Sequence, residues 1–255
     1  MEHYLEIIAR KTRTLSDKIY SWVAMTADGA GEGFNYAERM DYLKLRQVFR
    51  ENKDMVIYDI GANNGLLSTF WSKLHQVKTI YAFEPVSSVF AELQRNTKSI
   101  SKIVPINTAL GDAGGELTIN VNDWNPSSSL LPLADRHLAE FPFATKARSE
   151  KIRVVRLDDI VEEQGFKSPD LVKIDVQGFE DKVLTGGAKT IRRSQFCIIE
   201  LSLDKLYQGC PQITEIIAMM DEMSFDLVDI VGEVTGRAGR FVQIDGLFRK
   251  RNGGQ

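Results

Sequence analysis

Cysteine is scarce in this chain, with two among 255 residues. Two cysteines cannot build a disulfide framework, and no Cys/His cluster has zinc spacing. Cys197 lies inside the apolar run 196–201 and reads as a core residue, whereas Cys210 lies in a Gly-Cys-Pro turn. A reducing, cytoplasmic setting is the default expectation. Long apolar runs are missing too: none approaches the ~20 residues that cross a bilayer. Residues 1–13 mix charged and apolar types, without the uninterrupted apolar stretch of a signal peptide. There is no excess of positive charge. Lys and Arg number 32 against 35 Asp and Glu, a net charge of −3, which speaks against nucleic acid as a main partner. Neither G-x-G-x-x-G nor Tyr-x-x-x-Lys occurs, so a nicotinamide-dependent oxidoreductase is disfavoured. Internal repeats and low-complexity tracts are absent. What remains is ordinary for a globular protein, with 43% hydrophobic and 26% charged residues. The length suits one domain with an appended segment.

The organising stretch is 56–65, Val-Ile-Tyr-Asp-Ile-Gly-Ala-Asn-Asn-Gly. A short apolar run, a glycine turn and helical spacing from Leu66 predict a buried parallel strand feeding a helix. Such a turn is expected to aim backbone N–H groups at the crevice above the sheet. The spacing Asp59-x-Gly61-x-x-x-Gly65 lacks the glycines that cradle a pyrophosphate. Glu84, closing the next apolar run, suits a bidentate hydrogen bond to ribose hydroxyls. Together these describe a nucleoside carrying an amino acid, S-adenosylmethionine, better than NAD.

From residue 55 strand and helix patterns alternate, which predicts a parallel α/β sheet. Strands are expected at 55–60, 79–83 and 102–108, with helices at 66–75 and 86–98. Thr108, Ala109 and Asp112 follow the third strand; Asp112 is equally well placed as a turn residue. Segments 116–121 and 151–157 alternate like half-exposed antiparallel strands. Between them, 122–150 is an irregular insertion of the kind that sets substrate specificity; a helix is expected at 133–141. Buried strands are predicted at 171–175 and 196–201. An amphipathic helix at 213–223 and a final antiparallel pair, 225–231 and 240–249, close the domain. Residues 1–54 are expected to form a helical extension, with stripes such as Leu5, Ile8, Leu15, Ile19 and Trp22 and a glycine-bearing loop at 27–33.

Several of these motifs occur together. Asp59-Ile-Gly-Ala-Asn-Asn-Gly65, Phe83-Glu84-Pro85, Ala109-Leu110-Gly111-Asp112, Leu157-Asp158-Asp159 and the run from Asp170 to Glu180 resemble the FkbM family of methyltransferases, over most of the chain. The resemblance implies a class I, Rossmann-like α/β fold: a mostly parallel seven-stranded sheet with an antiparallel C-terminal pair. It implies S-adenosylmethionine as donor and, in many relatives, O-methylation of sugar or natural-product hydroxyls. The cofactor residues it implies are Asp59, Gly61, Ala62, Asn63, Gly65, Glu84, Pro85, Thr108, Ala109, Asp112 and Asp175. Residues 125–130 resemble the Asn-x-x-Ser-Ser-Leu element of relatives, which makes Asn125, Ser128 and Ser129 candidate acceptor-binding residues.

An alcohol acceptor must lose a proton, and a carboxylate or His within hydrogen-bond reach is the usual base. Asp175, at a strand end, is the first candidate, although it could instead hold the methionine amino group. Glu200 and Asp245 follow, with a buried ion pair as the alternative for each. His137 would serve only if the insertion folds over the site, and His75 sits best against a helix C-terminus. Asp158, Asp159, Asp175 and Glu200 include enough carboxylates for Mg²⁺, but no spacing compels a metal. The acceptor expected is a small molecule or glycan. A nitrogen, lipid or protein acceptor and a non-catalytic nucleotide-binding module stay open, as does a homo-oligomer.

Overall fold

The run 55–60 forms a strand in which every residue is buried, the pattern of a parallel strand covered on both faces. It belongs to a computed structural model that describes residues 49–122, 129–131, 147–204, 207–235 and 241–251. The chain divides into two compact units, Met1–Glu51 and Asn52–Gln255; the second holds the strands and helices of the α/β domain. The expected extension up to residue 48 and the expected helix at 133–141 lie outside the described residues.

In chain order the elements are β1 (Met55–Ile60), α1 (Leu66–Ser72), β2 (Val77–Phe83), α2 (Ser87–Thr97), β3 (Ile103–Ile106), β4 (Ala109–Leu110), β5 (Gly115–Asn122) and β6 (Ala147–Val155). Then come α3 (Leu157–Gln164), β7 (Leu171–Ile174), α4 (Glu180–Gly186), α5 (Ala188–Ile191), β8 (Phe196–Ser202), α6 (Ile213–Glu222), β9 (Phe225–Thr235) and β10 (Phe241–Lys250).

Seven strands form one sheet in the order β3-β2-β1-β7-β8-β10-β9. Counting only these strands, the order is 3-2-1-4-5-7-6. The pairs β1–β2, β2–β3, β1–β7 and β7–β8 are parallel, while β10 runs antiparallel to both β8 and β9. The chain winds outward from β1 to β3 and then resumes at β7 on the other side of β1. That reversal opens a crevice at the carboxyl ends of β1 and β7, where open α/β sheets place their ligands.

One face carries Tyr58, Ile60, Val172, Ile174, Ile199 and Leu201, packed against Leu157, Val183, Leu184, Ile216 and Met220 of α3, α4 and α6. Asp59 points the other way, toward α1. A second sheet, β4-β6-β5, is closed by Val86, Val89, Ala109, Ile119, Ile152 and Val154.

Three differences from the sequence expectation have physical causes. The strand expected to reach residue 157 stops at Val155, because Leu157 turns inward to open α3, whose first turn carries Asp158 and Asp159; acids there complement the helix dipole. The strand expected over 102–108 ends at Ile106, and the chain crosses to the second sheet, where Ala109 and Leu110 of β4 pair with β6. β9 runs past the expected loop glycine Gly232 to Thr235, because pairing with β10 continues along it.

Candidate active site

Gly61 and Gly65 both adopt positive φ, 83° and 81°. Their role is close packing. A Cβ on Gly61 would stand 1.8 Å from the Asp175 carbonyl oxygen, and one on Gly65 would stand 2.5 Å from Leu93 Cδ1. The expectation that this turn offers its N–H groups to a ligand does not hold. Gly61 N and Ala62 N donate to the Phe83 carbonyl at 3.0 and 2.9 Å, and Gly65 N donates to the Ala62 carbonyl at 2.9 Å. Asn63 N donates to Glu84 Oε2 at 3.1 Å, and Asn64 N to Asn63 Oδ1 at 2.7 Å. The donors are consumed by the second strand and the turn itself, so the crevice presents acceptors.

Those acceptors are carboxylates. Glu84 is buried; its Oε1 accepts the Val86 N–H at 2.9 Å and its Oε2 the Asn63 N–H. A carboxylate offers about four lone-pair sites, so each oxygen retains capacity toward the crevice. Burial pushes Glu84 up to about 7, with the negative charges of Asp175 and Asp59 adding to the effect and its backbone hydrogen bonds opposing it. Asp59 is fully buried on β1. Its Oδ2 accepts the Ser68 hydroxyl at 2.6 Å, while its Oδ1 has no hydrogen-bond partner. Burial raises the Asp59 pKa, and the Lys173 charge works against that rise.

Asp175 follows β7 directly, and its N–H donates to the Ile60 carbonyl at 3.0 Å. It is partly exposed and bonded on both oxygens, to Lys173 Nζ at 2.9 Å and Gln177 Nε2 at 2.8 Å. Gln177, at φ 57°, also donates to both Glu200 oxygens at 3.1 and 2.9 Å. Glu200 is pushed well up by burial and by Asp175, Glu180 and Asp245. Asp245 lies directly across from Glu200 on β10 and rests over Gly232. The structure therefore brings Asp175, Glu200 and Asp245 to one end of the sheet.

Of the residues expected around the adenine, Thr108 and Ala109 are buried, and the Thr108 hydroxyl is spent on the Ala109 and Arg153 carbonyls. The Pro85 carbonyl accepts Asn107 Nδ2 at 3.0 Å. Asp112 is exposed in a turn, 3.9 Å from Lys182 Nζ. Ser129 is buried and donates to the Gln177 carbonyl at 2.6 Å. Asn125, Ser128 and His137 lie outside the described residues. Asp158 and Asp159 do not join Asp175: Asp158 accepts the Lys189 and Thr190 N–H groups, and Asp159 faces Arg156. Among the described residues no group of three or more His, Cys, Asp or Glu is arranged to hold a metal ion.

Sequence reasoning gave no site role to Lys173, Gln177, Glu180, Ser68 or Tyr207. A signal existed for Lys173, a charge inside the otherwise apolar run 171–174. None existed for Tyr207, whose hydroxyl donates to Gln177 Oε1 at 2.6 Å.

A rim of carboxylates with its backbone donors already used repels a pyrophosphate. It suits a ligand with sugar hydroxyls to donate and positive charge along its tail. Joined to the sheet order, this defines a class I S-adenosylmethionine-dependent methyltransferase. A model of the methyltransferase FkbM domain matches residues 59–227, and the chain belongs to the FkbM family of methyltransferases. It is 29% identical over 185 residues to the 2-O-methyltransferase NoeI of Sinorhizobium fredii, covering 70% of this chain and 75% of NoeI. To the hexuronic acid methyltransferase AglP of Haloferax volcanii it is 27% identical, over 62% of this chain and 60% of AglP. To the 31-O-demethyl-FK506 methyltransferase FkbM of Streptomyces tacrolimicus it is 29% identical, over 62% of this chain and 69% of that protein. Among the described residues no helix is long and apolar enough to cross a membrane.

Proposed function

We propose that this methyltransferase acts on a hydroxyl of a sugar, glycan or secondary metabolite, with Asp175 receiving the hydroxyl proton. One observation carries the assignment: Asp175 is a partly exposed carboxylate at the switch point, touching the Gly61 turn on one side and linked to Glu200 on the other. The O-methyltransferase names of NoeI and FkbM and the hexuronic acid of AglP support a hydroxyl on a sugar or natural product.

S-adenosylmethionine, when bound, supplies a methyl group on a positively charged sulfur. Glu84 would hold the ribose hydroxyls, Asp59, buried with one unpaired oxygen, would stand on the tail side, and Thr108 and Ala109 would back the adenine. Lys173 Nζ holds Asp175 Oδ2 at 2.9 Å and fixes the direction of the carboxylate. Asp175 would then take the hydroxyl proton of an acceptor aligned for transfer. Glu200, whose burial favours its protonated form, is already occupied by a proton, so the transferred proton leaves Asp175 through its exposed side. The acceptor wall is assigned to the insertion 122–150, of which Ser129 is the part tied to the Asp175 turn. The two free, buried cysteines fit a reducing cytoplasm.

The test combines calorimetry with S-adenosylhomocysteine and a panel of hexose and hexuronate methyl glycosides assayed for homocysteine release. Asp175→Asn is expected to bind S-adenosylhomocysteine as the parent does and to lose about 10²- to 10⁴-fold in kcat. A fully active Asp175→Asn enzyme removes Asp175 as base. Turnover confined to amine acceptors removes the hydroxyl.

A further inference from the structure

The turn after β7 gathers more of the molecule than a cofactor site requires. Gln177 stands at its apex in the left-handed region, a costly conformation for a side chain this size. Glu180 fixes it from α4, accepting the Val176 and Gly178 N–H groups at 3.2 and 3.1 Å. Gly178, at φ 99°, is tightly covered: a Cβ there would stand 3.1 Å from Cys210, 3.2 Å from Leu131 and 3.3 Å from Tyr207. Leu131, Tyr207 and Cys210 pack together over it. The Gln177 carbonyl takes the Ser129 hydroxyl, and its side-chain oxygen takes the Tyr207 hydroxyl. With that oxygen occupied, the carboxamide is oriented and its NH₂ faces Asp175 and Glu200.

We propose that Gln177 is the positioning residue of the acceptor side: its carboxamide clamps Asp175 and Glu200 into one unit and ties that unit to the 129–131 and 207–210 segments. The assignment rests on the methyl-transfer reading and extends it to a residue given no cofactor contact in that reading. An amide suits the position because it can donate to two carboxylates at once and still accept from a tyrosine. A carboxylate there would set three acids against each other. The charged groups facing the clamp come from several elements: Lys173 on β7, Glu180 on α4 and Asp245 on β10. Asp59 and Glu84 act from the β1–β2 side, and Tyr207 and Cys210 from the covering segment. Lys173 is the cation among them.

The experiment follows Asp175 and Glu200 by carboxyl-carbon NMR titration of the ligand-free protein, alongside methyl-transfer pH profiles and S-adenosylhomocysteine affinity. In Gln177→Ala, loss of the shared donor moves both titrations and the acid limb of kcat upward by about one pH unit. In Gln177→Glu the third negative charge moves them further. Tyr207→Phe, nearly isosteric, frees the amide to rotate and gives a smaller shift of the same sign. S-adenosylhomocysteine affinity stays within about threefold throughout, and kcat falls while KM for the donor holds. Carboxyl titrations in Gln177→Ala and Tyr207→Phe that match the parent overturn the proposal, as does loss of S-adenosylhomocysteine binding in folded variants. Failure of the parent protein to methylate any hydroxyl sinks the functional reading instead and leaves the titration result standing.

Discussion

Glu84 accepts the N–H groups of Asn63 and Val86, so it holds the first turn to the second strand before any ligand arrives. The same burial that makes those bonds effective pushes its carboxyl up to about 7. Hydroxyls donated by a ribose favour the ionised form. Ligand binding near neutral pH is therefore expected to release a proton from Glu84. Calorimetry in buffers of different ionisation enthalpy measures that release directly. It should be largest around and just below pH 7, and it should vanish in Glu84→Gln. Truncation to alanine should weaken S-adenosylhomocysteine by about 10- to 100-fold, the cost of one or two charged hydrogen bonds. An affinity for Glu84→Ala within about twofold of the parent would show that Glu84 does not meet the ribose.

At the scale of elements, α2 begins without a cap of its own. Val86 occupies the capping position and its side chain makes no cap hydrogen bond. Glu150, from β6, accepts the Ser87 N–H at 2.9 Å, and Arg148 beside it donates to the Ser88 hydroxyl at 2.6 Å. A carboxylate at a helix N-terminus is favoured by the exposed N–H groups and by the dipole. Replacing Glu150 with alanine should cost about 1 kcal/mol, seen as a thermal midpoint about 3 °C lower. An unchanged midpoint would mean that water caps α2 equally well. The same contact marks the limit of what sequence alone reveals. β1, β2, β7 and β8 were legible because each is an apolar run flanked by turn residues, and Glu84 and Asp175 were legible because they end such runs. The Glu150 cap, the consumption of the 61–65 donors by Phe83 and Glu84, and the Gln177–Tyr207 bond join residues about 20 to 60 positions apart; periodicity is silent at that range. Leu157 is misread for a related reason: it follows the apolar end of β6 closely in sequence, and only its packing in the core with α4 residues marks it as the start of a helix.

Over the whole molecule, the buried acids set an unusual direction for stability against pH. Glu84 and Glu180 are both pushed up to about 7 from 4.5, burial being the largest cause, and burial also raises Asp59 and Glu200. A raised folded-state value means the folded protein holds a proton that the unfolded chain has already released. The stability these groups contribute is fully present below about pH 4.5 and is lost as the pH climbs through about 7. Each of Glu84 and Glu180 is worth on the order of 3 kcal/mol across that window. Glu150, whose carboxyl is lowered, works the other way. Its stability is present above its unfolded value and lost as the pH falls through the folded one, so it acts mainly at the acid end. The ligand-free protein is therefore expected to resist urea better at about pH 5 than at about pH 8, opposite to a protein held by ionised carboxylate pairs. Glu84→Gln should flatten the slope by removing one contributor. Saturating S-adenosylhomocysteine should flatten it as well, because ribose hydroxyls stabilise the charge that burial opposes. A urea midpoint that rises from pH 5 to pH 8 would show that these acids are solvated, and the crevice would then be too open to grip a nucleoside through Glu84.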